Sequence, residues 1–469
     1  MVDNVYDPTA QGSSKIDPRL VDRLRKSISD FKVEVTTYNG NVNDITSAIT
    51  EISLYESIYA PFLYGEVVIV DNSAMLSIFP FIGQERIAIQ FSRDGQKMER
   101  EFFVTSVFDV QPVLENTGTY GLRITSEKQM RNATSLFSKA YTGRGDEIIK
   151  GVYDEFLNDD LEVMIEAKDS YNIVFPYIKP LQAIDMVCSA ALAEDQTPFF
   201  VYENLYEDRP RLDSLGRMFE QEPIFEIDPS NTVNQSSDTG EGQRQALENR
   251  GQIYEHMMPR NFDTLSRVSE GAYAAFTTVV DSTRKEAFVT DFDFWEHAPP
   301  ISKNFISEFF ALDGVRFNSQ YDTKNVVVHQ NRDAFENSFP NINGVDELDK
   351  MILRSYRERM DTENVTIFMD SVRIPEGTTE QFGVGKTVTY NLPRFSPKFE
   401  EAEDNEDKVN SGKYIVSAIR HYIKNGEYTM TVELIRDGMG DRANLKPNKD
   451  EPDLGDPPRV REDIEFSAR

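Results

Sequence analysis

The tripeptide Gly385-Lys386-Thr387 is the part of this sequence closest to a phosphate-binding loop. Such a loop needs a glycine five positions before Gly385, and a helix after the threonine whose N-terminus can hold the phosphate. The earlier position is Glu380, and the residues after the tripeptide, Val-Thr-Tyr, are typical of a strand. The tripeptide is therefore predicted to be a structural turn that leads into a strand. Gly143-Arg-Gly145 likewise fails the dinucleotide-binding pattern, because the third glycine position is an isoleucine and the sequence predicts no strand before it.

Histidine and cysteine spacing indicates no metal site and no nucleophile. None of the four histidines lies three to five residues from another histidine or from the cysteine, so zinc-ligand spacing is absent: His256, His297, His329, His421. The single cysteine, Cys188, excludes an internal disulfide and suggests synthesis in a reducing compartment. It lies among small apolar residues of a predicted helix with no histidine nearby, so we expect a buried small hydrophobe.

Acidic residues are abundant without forming a recognisable catalytic or calcium-binding pattern. Residues 400–407 hold six carboxylates in eight positions, and a solvated hairpin loop is the favoured interpretation. A paired-carboxylate glycosidase stays open as an alternative, because the separation of two carboxylates is invisible in sequence. The sequence predicts no catalytic, cofactor-binding or metal-binding residues, no cofactor, and a protein that is not an enzyme.

Length and charge limit the classes of protein to consider. The 469 residues, 39% of them hydrophobic, suffice for about two to four domains. No apolar run approaches the roughly 18 residues of a membrane-spanning helix, and the N-terminus lacks the features of a secretory signal, so we expect no membrane insertion. The net charge of −30 disfavours ordinary nucleic-acid binding. Such a charge either keeps the protein soluble or forms a surface that nucleic acid can pass without binding to it.

Hydrophobic periodicity divides the chain into two β regions separated by mixed ones. Period-two alternation predicts strands at 31–36, 65–70, 86–91, 101–110 and 119–126. Helical periodicity predicts helices around 148–157, with Asp146 placed to cap its start, from Pro180, and at 345–360. The predicted domains are an N-terminal arm at 1–30, a first β-barrel domain at 31–127, a small α/β domain at 128–215, a second β-barrel domain with linker at 216–250 and 362–440, an inserted mixed domain at 251–361, and a flexible C-terminal arm at 441–469. The fold class is therefore α+β, mostly β.

The two β regions are similar to each other in the order and spacing of three strands. Residues 81–89 and 382–390 each pass from a glycine-containing turn into an apolar strand. A strand with aromatic residues follows in both regions, and a third strand closes each unit. Identities are few, so the pattern indicates a degenerate internal duplication.

Two stretches carry a resemblance to a known family. The first is Gly383-x-Gly-Lys-x-Val followed by Gly412-Lys-Tyr-Ile-Val-Ser-Ala-Ile-Arg-His and Tyr428-Thr-Met-Thr-Val-Glu-Leu-Ile-Arg-Asp, and the second is Leu54–Asn72. Together they resemble the baseplate central hub protein of T-even-type contractile-tailed phages, in the form seen in cyanophage relatives. More distantly they resemble the hub parts of late-control and type VI spike proteins. The resemblance covers about 31–215 and 362–440 and is poor between them.

The resemblance implies two tail-tube-like barrels per chain and a homotrimeric ring with pseudo-sixfold symmetry. Such a ring joins the hexameric tail tube to the trimeric spike protein, contacts other baseplate proteins, and has DNA only as passing cargo. It implies a virion protein of the tail baseplate that is assembled in the host cytoplasm. The alternatives are a tail-associated peptidoglycan hydrolase, for which 251–361 is the candidate lytic region, and a tail tube or receptor-binding structural protein.

Overall fold

The computed structural model describes residues 28–72, 75–78, 81–83, 85–93, 96–114, 117–227, 253–257, 264–281, 285–298, 301, 311–312, 315–316, 325–329, 347–360, 363–369, 381–392, 407, 410–424 and 426–437. Outside these ranges lie the loop or linker predicted at 228–252, both predicted arms except residues 28–30, and the acidic run except Asp407.

The first β region contains seven strands, because apolar residues alternate with polar ones along it. They are β1 (Ser29–Thr36), β2 (Val42–Asp44), β3 (Ile49–Ser57), β4 (Tyr64–Asp71), β5 (Arg86–Arg93), β6 (Gln96–Leu114) and β7 (Thr117–Thr125), with a short helix α1 (Met75–Ile78). In β4 and β5 every second residue is buried.

A mixed α/β region follows and builds its own core. Its elements are α2 (Glu127–Thr134), β8 (Ala140–Arg144), α3 (Gly145–Leu157), β9 (Glu162–Val163), β10 (Ser170–Val174), α4 (Pro180–Cys188), β11 (Phe199–Tyr202), β12 (Arg211–Ser214), α5 (Leu215–Glu220) and β13 (Glu226–Ile227). Helices α3 and α4 bury their apolar faces against each other and against β8–β12. This cluster is separate from the larger core under the main sheet.

The start of α3 differs from its predicted capping. Asp146 was expected to cap the helix, but the N-cap residue is Arg144, and its main-chain N–H donates to the Glu147 carboxylate at 3.1 Å. The Asp146 carboxylate instead accepts from Ala167 N at 2.8 Å and pairs with the Arg144 guanidinium at 3.2 Å. Asp146 therefore ties the helix to the neighbouring segment, while Glu147 accepts from the N-cap N–H and so supplies one half of a capping box.

The remaining elements form an inserted region and the second β region. They are β14 (Ile253–Met257), α6 (Thr264–Ser269), β15 (Ala274–Asp281), β16 (Glu286–Asp293), α7 (Phe294–His297), β17 (Ala311–Leu312), β18 (Val315–Arg316), β19 (Asn325–His329), α8 (Glu347–Arg359), β20 (Glu363–Met369), β21 (Thr387–Tyr390), β22 (Gly412–Lys424) and β23 (Glu427–Arg436). Strands β16, β15 and β19 form a small sheet.

One 13-stranded sheet runs through both β regions, in the order β14-β20-β23-β22-β3-β4-β7-β6-β5-β1-β2, with β21 beside β22 and β13 beside β21. The predicted mostly-β α+β class is confirmed. Two separate closed barrels were expected, but within the described ranges the sheet stays open. The reason is that β22 of the second region pairs with β3 of the first.

Ten of the thirteen strands form two halves with the same strand order. We call β3-β4-β7-β6-β5 the N-terminal half-sheet and β14-β20-β23-β22-β21 the C-terminal half-sheet. Neighbouring strands are antiparallel throughout both halves, and the five strands also follow the same order along the chain. The similarity that the sequence indicated for three strands thus extends to five.

A matched pair of β-bulges fixes the correspondence between β6 and β22. The bulged residue is Thr105 in β6 and Ser417 in β22. Each hydroxyl donates across the bulge to a main-chain oxygen, from Thr105 to Arg123 at 3.1 Å and from Ser417 to Glu433 at 3.2 Å. Because a bulge sets the local register, β6 corresponds to β22 and β7 to β23, residue by residue around this point.

A second matched bulge relates β3 to β14. The register between β3 and β4 shifts at Thr50, and the register between β14 and β20 shifts at Tyr254. Glu51 therefore corresponds to Glu255, and Ser53 to Met257. Strand β14 lies in the range predicted for the inserted domain, yet it takes the β3 position of the C-terminal half-sheet.

Candidate functional site at the junction of the half-sheets

Strand β22 is long enough to pair with two strands along one edge. Its first residues, 412–415, pair with β21, and residues 418–424 pair with Glu51–Ser57 of β3. We call this second pairing the seam. It joins the two half-sheets within one chain, and Ile58 N donates to Ser417 O at 2.9 Å where it ends.

A buried chain of polar side chains crosses the seam. His421 Nδ1 lies 2.5 Å from the Tyr428 hydroxyl, and His421 Nε2 lies 3.4 Å from Glu56 Oε1. Glu56 Oε2 accepts a hydrogen bond from Leu205 N at 2.7 Å. His421 Nε2 and Glu56 Oε1 face each other without a hydrogen bond between them, so the two atoms meet only as a buried polar contact. The chain links β3, β22, β23 and the segment after β11.

Aromatic and cationic groups surround the Tyr428 end of this chain. The Arg93 guanidinium lies 4.4 Å from the Tyr428 ring centroid, and the Phe91 ring centroid is 5.8 Å away. The Tyr206 ring meets His421 edge-on at 6.2 Å. Burial raises the pKa of Tyr428 well above its usual value, so its hydroxyl keeps its proton at neutral pH.

The geometry suits a structural clamp rather than catalysis. Glu56, His421 and Tyr428 are each 1% exposed, so a substrate cannot reach them without opening the sheet. A buried charged group is costly unless it is paired and hydrogen-bonded, and losing one partner exposes the full penalty. This chain of polar side chains therefore favours the pairing of β22 with β3 at the seam.

The α/β region is fastened to the N-terminal half-sheet by a second buried carboxylate. Glu203 accepts from Leu63 N at 2.9 Å and Ser126 Oγ at 2.8 Å, and it pairs with Lys128 at 2.8 Å. Burial lowers the pKa of Lys128, but the attraction of Glu203 and Asp159 outweighs this effect and leaves the pKa raised.

The inserted region is fastened to the C-terminal half-sheet through Arg359. Its guanidinium donates to Ala298 O at 2.8 Å, lies 4.2 Å from the Phe294 ring centroid, and approaches the Asp437 carboxylate at 4.0 Å. Burial lowers the pKa of Arg359 to about 10, so the side chain stays charged at neutral pH.

The face of the sheet that points away from the core has paired charges. Strand residues on this face form the ion pairs Lys32–Glu34, Arg86–Glu101, Lys97–Glu99, Arg123–Glu66 and Lys424–Glu51. The last pair crosses the seam, as does the hydrogen bond from Arg420 to Ser53 Oγ at 3.0 Å. This polar face therefore covers β1 and the N-terminal half-sheet and reaches β22 across the seam, and each of these five cations has a carboxylate partner.

The candidate phosphate loop is a structural turn, as the sequence predicted. Gly385 has φ +77°, and an added Cβ would meet the hydroxyl of Tyr202. Gly385 N donates to Val416 O at 2.9 Å, and Val416 N donates to Lys386 O at 2.8 Å. The turn thus places β21 against β22, and Lys386 is buried.

The remaining sequence candidates lie apart from one another. Cys188 is buried at the end of α4, as predicted, and burial raises its pKa to about 12. The four histidines lie on four different elements: β14, α7, β19 and β22. Among the described residues no group of three or more His, Cys, Asp or Glu side chains could hold a metal ion.

A surface depression and the apolarity of the helices are two further features of the described parts of the chain. A surface depression of about 450 Å³ next to α3 is lined by charged residues that pair with one another, including Arg144 with Glu166 at 2.7 Å. No helix in these parts is both long enough and apolar enough to cross a membrane.

Glu56 is the functional residue that sequence reasoning missed. It occupies an inward position of a strand, between the buried Leu54 and Ile58. A charge at an apolar position of an alternating pattern was the available signal, because buried carboxylates need dedicated partners.

No family model matches the sequence. No curated protein gives a significant match to it either.

Solved structures that resemble this chain are phage tail and type VI secretion proteins. The tail protein from Neisseria meningitidis MC58 is 11% identical, with a TM-score of 0.49, and the match covers 88% of this chain and 98% of that one. The 43 kDa tail protein of prophage MuSo2 from Shewanella oneidensis is 9% identical, with a TM-score of 0.48 and coverage of 87% and 97%. The E. coli c3393 protein, a type VI secretion component described as similar to T4 tail proteins gp27 and gp5, is 7% identical, with a TM-score of 0.40 and coverage of 85% and 77%. Similarities this distant carry no argument about activity or partners.

Proposed function

We propose that this protein is the structural central hub of a contractile phage-tail baseplate. Three copies form a ring with pseudo-sixfold symmetry that joins the hexameric tail tube to the trimeric spike and lets DNA pass. The observation that carries the proposal is the pair of half-sheets with one strand order and matched bulges. Two equivalent units in each of three chains give six equivalent positions, which fit a sixfold partner on one side and a threefold partner on the other.

The sequence resemblance supports the same role independently of the fold. Its motifs fall on the strands that the two half-sheets share: β3 and β4 in the first region, and β21, β22 and β23 in the second. In this role the partners are two further copies, the spike protein, the tail tube protein and other baseplate proteins. The protein works in the virion tail after assembly in the host cytoplasm, and no enzymatic step is part of the role.

The polar face is the surface best suited to line the lumen. Proteins hold nucleic acid chiefly through cations that neutralise phosphates. Cations already paired with carboxylates offer phosphates little, so DNA can slide past them.

Particle symmetry tests this proposal directly. The full-length chain, alone and mixed with the spike protein of the same virion, is examined by light scattering and electron microscopy. We expect a ring of three times the 53.7 kDa chain mass with six similar lobes. A ring of six chains would indicate a tail tube protein instead, and a monomer that persists with the spike present would overturn the hub. Clearing of purified cell walls in a zymogram would favour the hydrolase.

A further inference from the structure

The seam shows how one half-sheet joins the next, and the same kind of joint is open at the two ends of the eight-strand run from β14 to β6. The late part of β22 pairs with β3 inside the chain. The matched bulges make β6 the counterpart of β22, and β14 the counterpart of β3. The late part of β6 and the outer edge of β14 are therefore the two halves of a second, unmade seam.

Both edges are unoccupied within the described residues. After Phe103, β6 pairs with β7 but with no further strand, and β14 pairs only with β20. These edges lie at opposite ends of the eight-strand run from β14 to β6. An exposed edge presents unpaired main-chain groups to other chains, and natural proteins usually protect such edges.

Exposure at equivalent positions shows what the missing strand would cover. Ser53 is 7% exposed in the seam, whereas its counterpart Met257 is 59% exposed. His421 is 1% exposed, whereas Val110, one of two bulged residues that take its place, is 60% exposed. Apolar side chains thus stand at both open edges where the seam has buried groups.

We propose that neighbouring copies join by antiparallel pairing of β14 of one copy with the late part of β6 of the next. The occupant is a second copy of this chain, because each chain has both complementary edges and already contains one finished example of the joint. The joint is head-to-tail, so repeating it gives a closed ring or an open filament. This inference rests on the proposed hub role for the number of copies, but not for the strands that meet.

The register of the joint follows from the seam. Ser53 pairs with Tyr422, and Glu51 pairs with Lys424. The counterparts of Tyr422 and Lys424, read from the residues opposite them on β23 and β7, are Gln111 and Leu114. Met257 is therefore expected opposite the next copy's Gln111, and Glu255 opposite its Leu114. The new joint lacks the lysine that Glu51 uses, so it depends more on apolar contact.

Cysteine cross-linking tests the joint. The wild-type chain is a clean background, because its one cysteine is buried. The Met257→Cys and Gln111→Cys variants are made singly and together in the full chain, oxidised, and run on non-reducing gels. We expect the double variant to give covalent multimers, an equal mixture of the two single variants to give dimers only, and each single variant alone to give none.

Edge blocking supplies the second readout. Val110→Lys places a charge on the open edge, and Val174→Lys, at a residue 66% exposed on β10, is the matched control. We expect at least a tenfold weaker self-association for Val110→Lys by sedimentation, no change for Val174→Lys, and unchanged circular dichroism for both.

The outcomes distinguish a failure of the proposed strand pairing from a failure of the proposed hub role. A trimeric ring without cross-links, or one unaffected by Val110→Lys, overturns the strand pairing and leaves the hub standing. Cross-links within a filament, or within a ring of another size, support the pairing and overturn the trimer. No self-association at any concentration overturns the joint.

Discussion

The two half-sheets share a hydrogen-bonding frame but use the β3 position in different ways. In the N-terminal half-sheet β3 is buried in the seam, and a short turn leads to β4. In the C-terminal half-sheet β14 lies at the end of the sheet, and the whole inserted region separates it from β20. The two half-sheets therefore share their strand register and their bulges, whereas their side chains and their connections differ.

The largest expected effect comes from breaking the polar chain that only the seam contains. Glu56→Ala removes the buried acceptor of Leu205 N and the carboxylate that faces His421 Nε2 at 3.4 Å, so the Leu205 N–H loses its partner and the histidine loses its charged neighbour. We expect a loss of about 3 kcal/mol in the free energy of unfolding, measured by urea denaturation. Glu56→Gln keeps one acceptor and should lose less. A loss below about 1 kcal/mol, typical of a surface substitution, would show that these polar side chains do not stabilise the seam.

A substitution at one of two equivalent positions tests how much side-chain packing differs between the two half-sheets. Gly65 corresponds to the fully buried Val365, but a Cβ added to Gly65 would lie 2.5 Å from Ser53 O. Gly65→Val should therefore destabilise the protein by about 2–3 kcal/mol through overpacking, and amides of β3 should exchange faster with solvent. Val365→Ala removes volume instead and should leave β3 exchange unchanged. Equal β3 exchange in both variants would contradict the close approach.

The matched bulges allow a finer comparison of one hydrogen bond in two settings. Ser417→Ala removes a hydroxyl that is buried in the seam, whereas Thr105 is exposed at its bulge. We expect about 1 kcal/mol of lost stability for Ser417→Ala, and less for Thr105→Ala because water replaces the lost partner. The same urea series measures both. The reverse order would mean that the bulge in β6 is already covered by another part of the chain.

The smallest effect is expected at the exposed ion pair of the seam. The hydrogen bond from Lys424 lowers the pKa of Glu51. Stability from a lowered carboxyl pKa is present above the unfolded value of about 4.3 and is lost as the pH falls through the folded value. Glu51→Gln should therefore change stability only marginally at pH 7, and should slightly flatten the acid limb of a stability–pH curve. A large loss of stability at pH 7 would mean that this ion pair, rather than Glu56, is the main contact that stabilises the seam.

Sequence reasoning found the local elements because local periodicity determines them. The strands that became β4–β7 and β21–β23 have clear alternation, and Pro180 marks the first turn of α4 as expected. Strand β3 was not among the predicted strands. A bulge at Thr50 and a carboxylate at the inward position of Glu56 interrupt its alternating pattern.

The seam itself could not be read from sequence. His421 and Glu56 are 365 positions apart, and no local pattern records that β22 extends past β21 to reach β3. The histidine therefore looked isolated, although it has two polar neighbours in the folded chain. Residues whose role depends on a distant strand are those that spacing rules pass over.

The chain leaves the sheet after β14 and re-enters it in the adjacent strand, with Met257 directly opposite Thr366. Cα atoms of directly opposed residues in antiparallel strands are only about 5 Å apart. The pairing of β14 with β20 therefore does not depend on how long the excursion is, because its two ends meet as the ends of a short hairpin loop would.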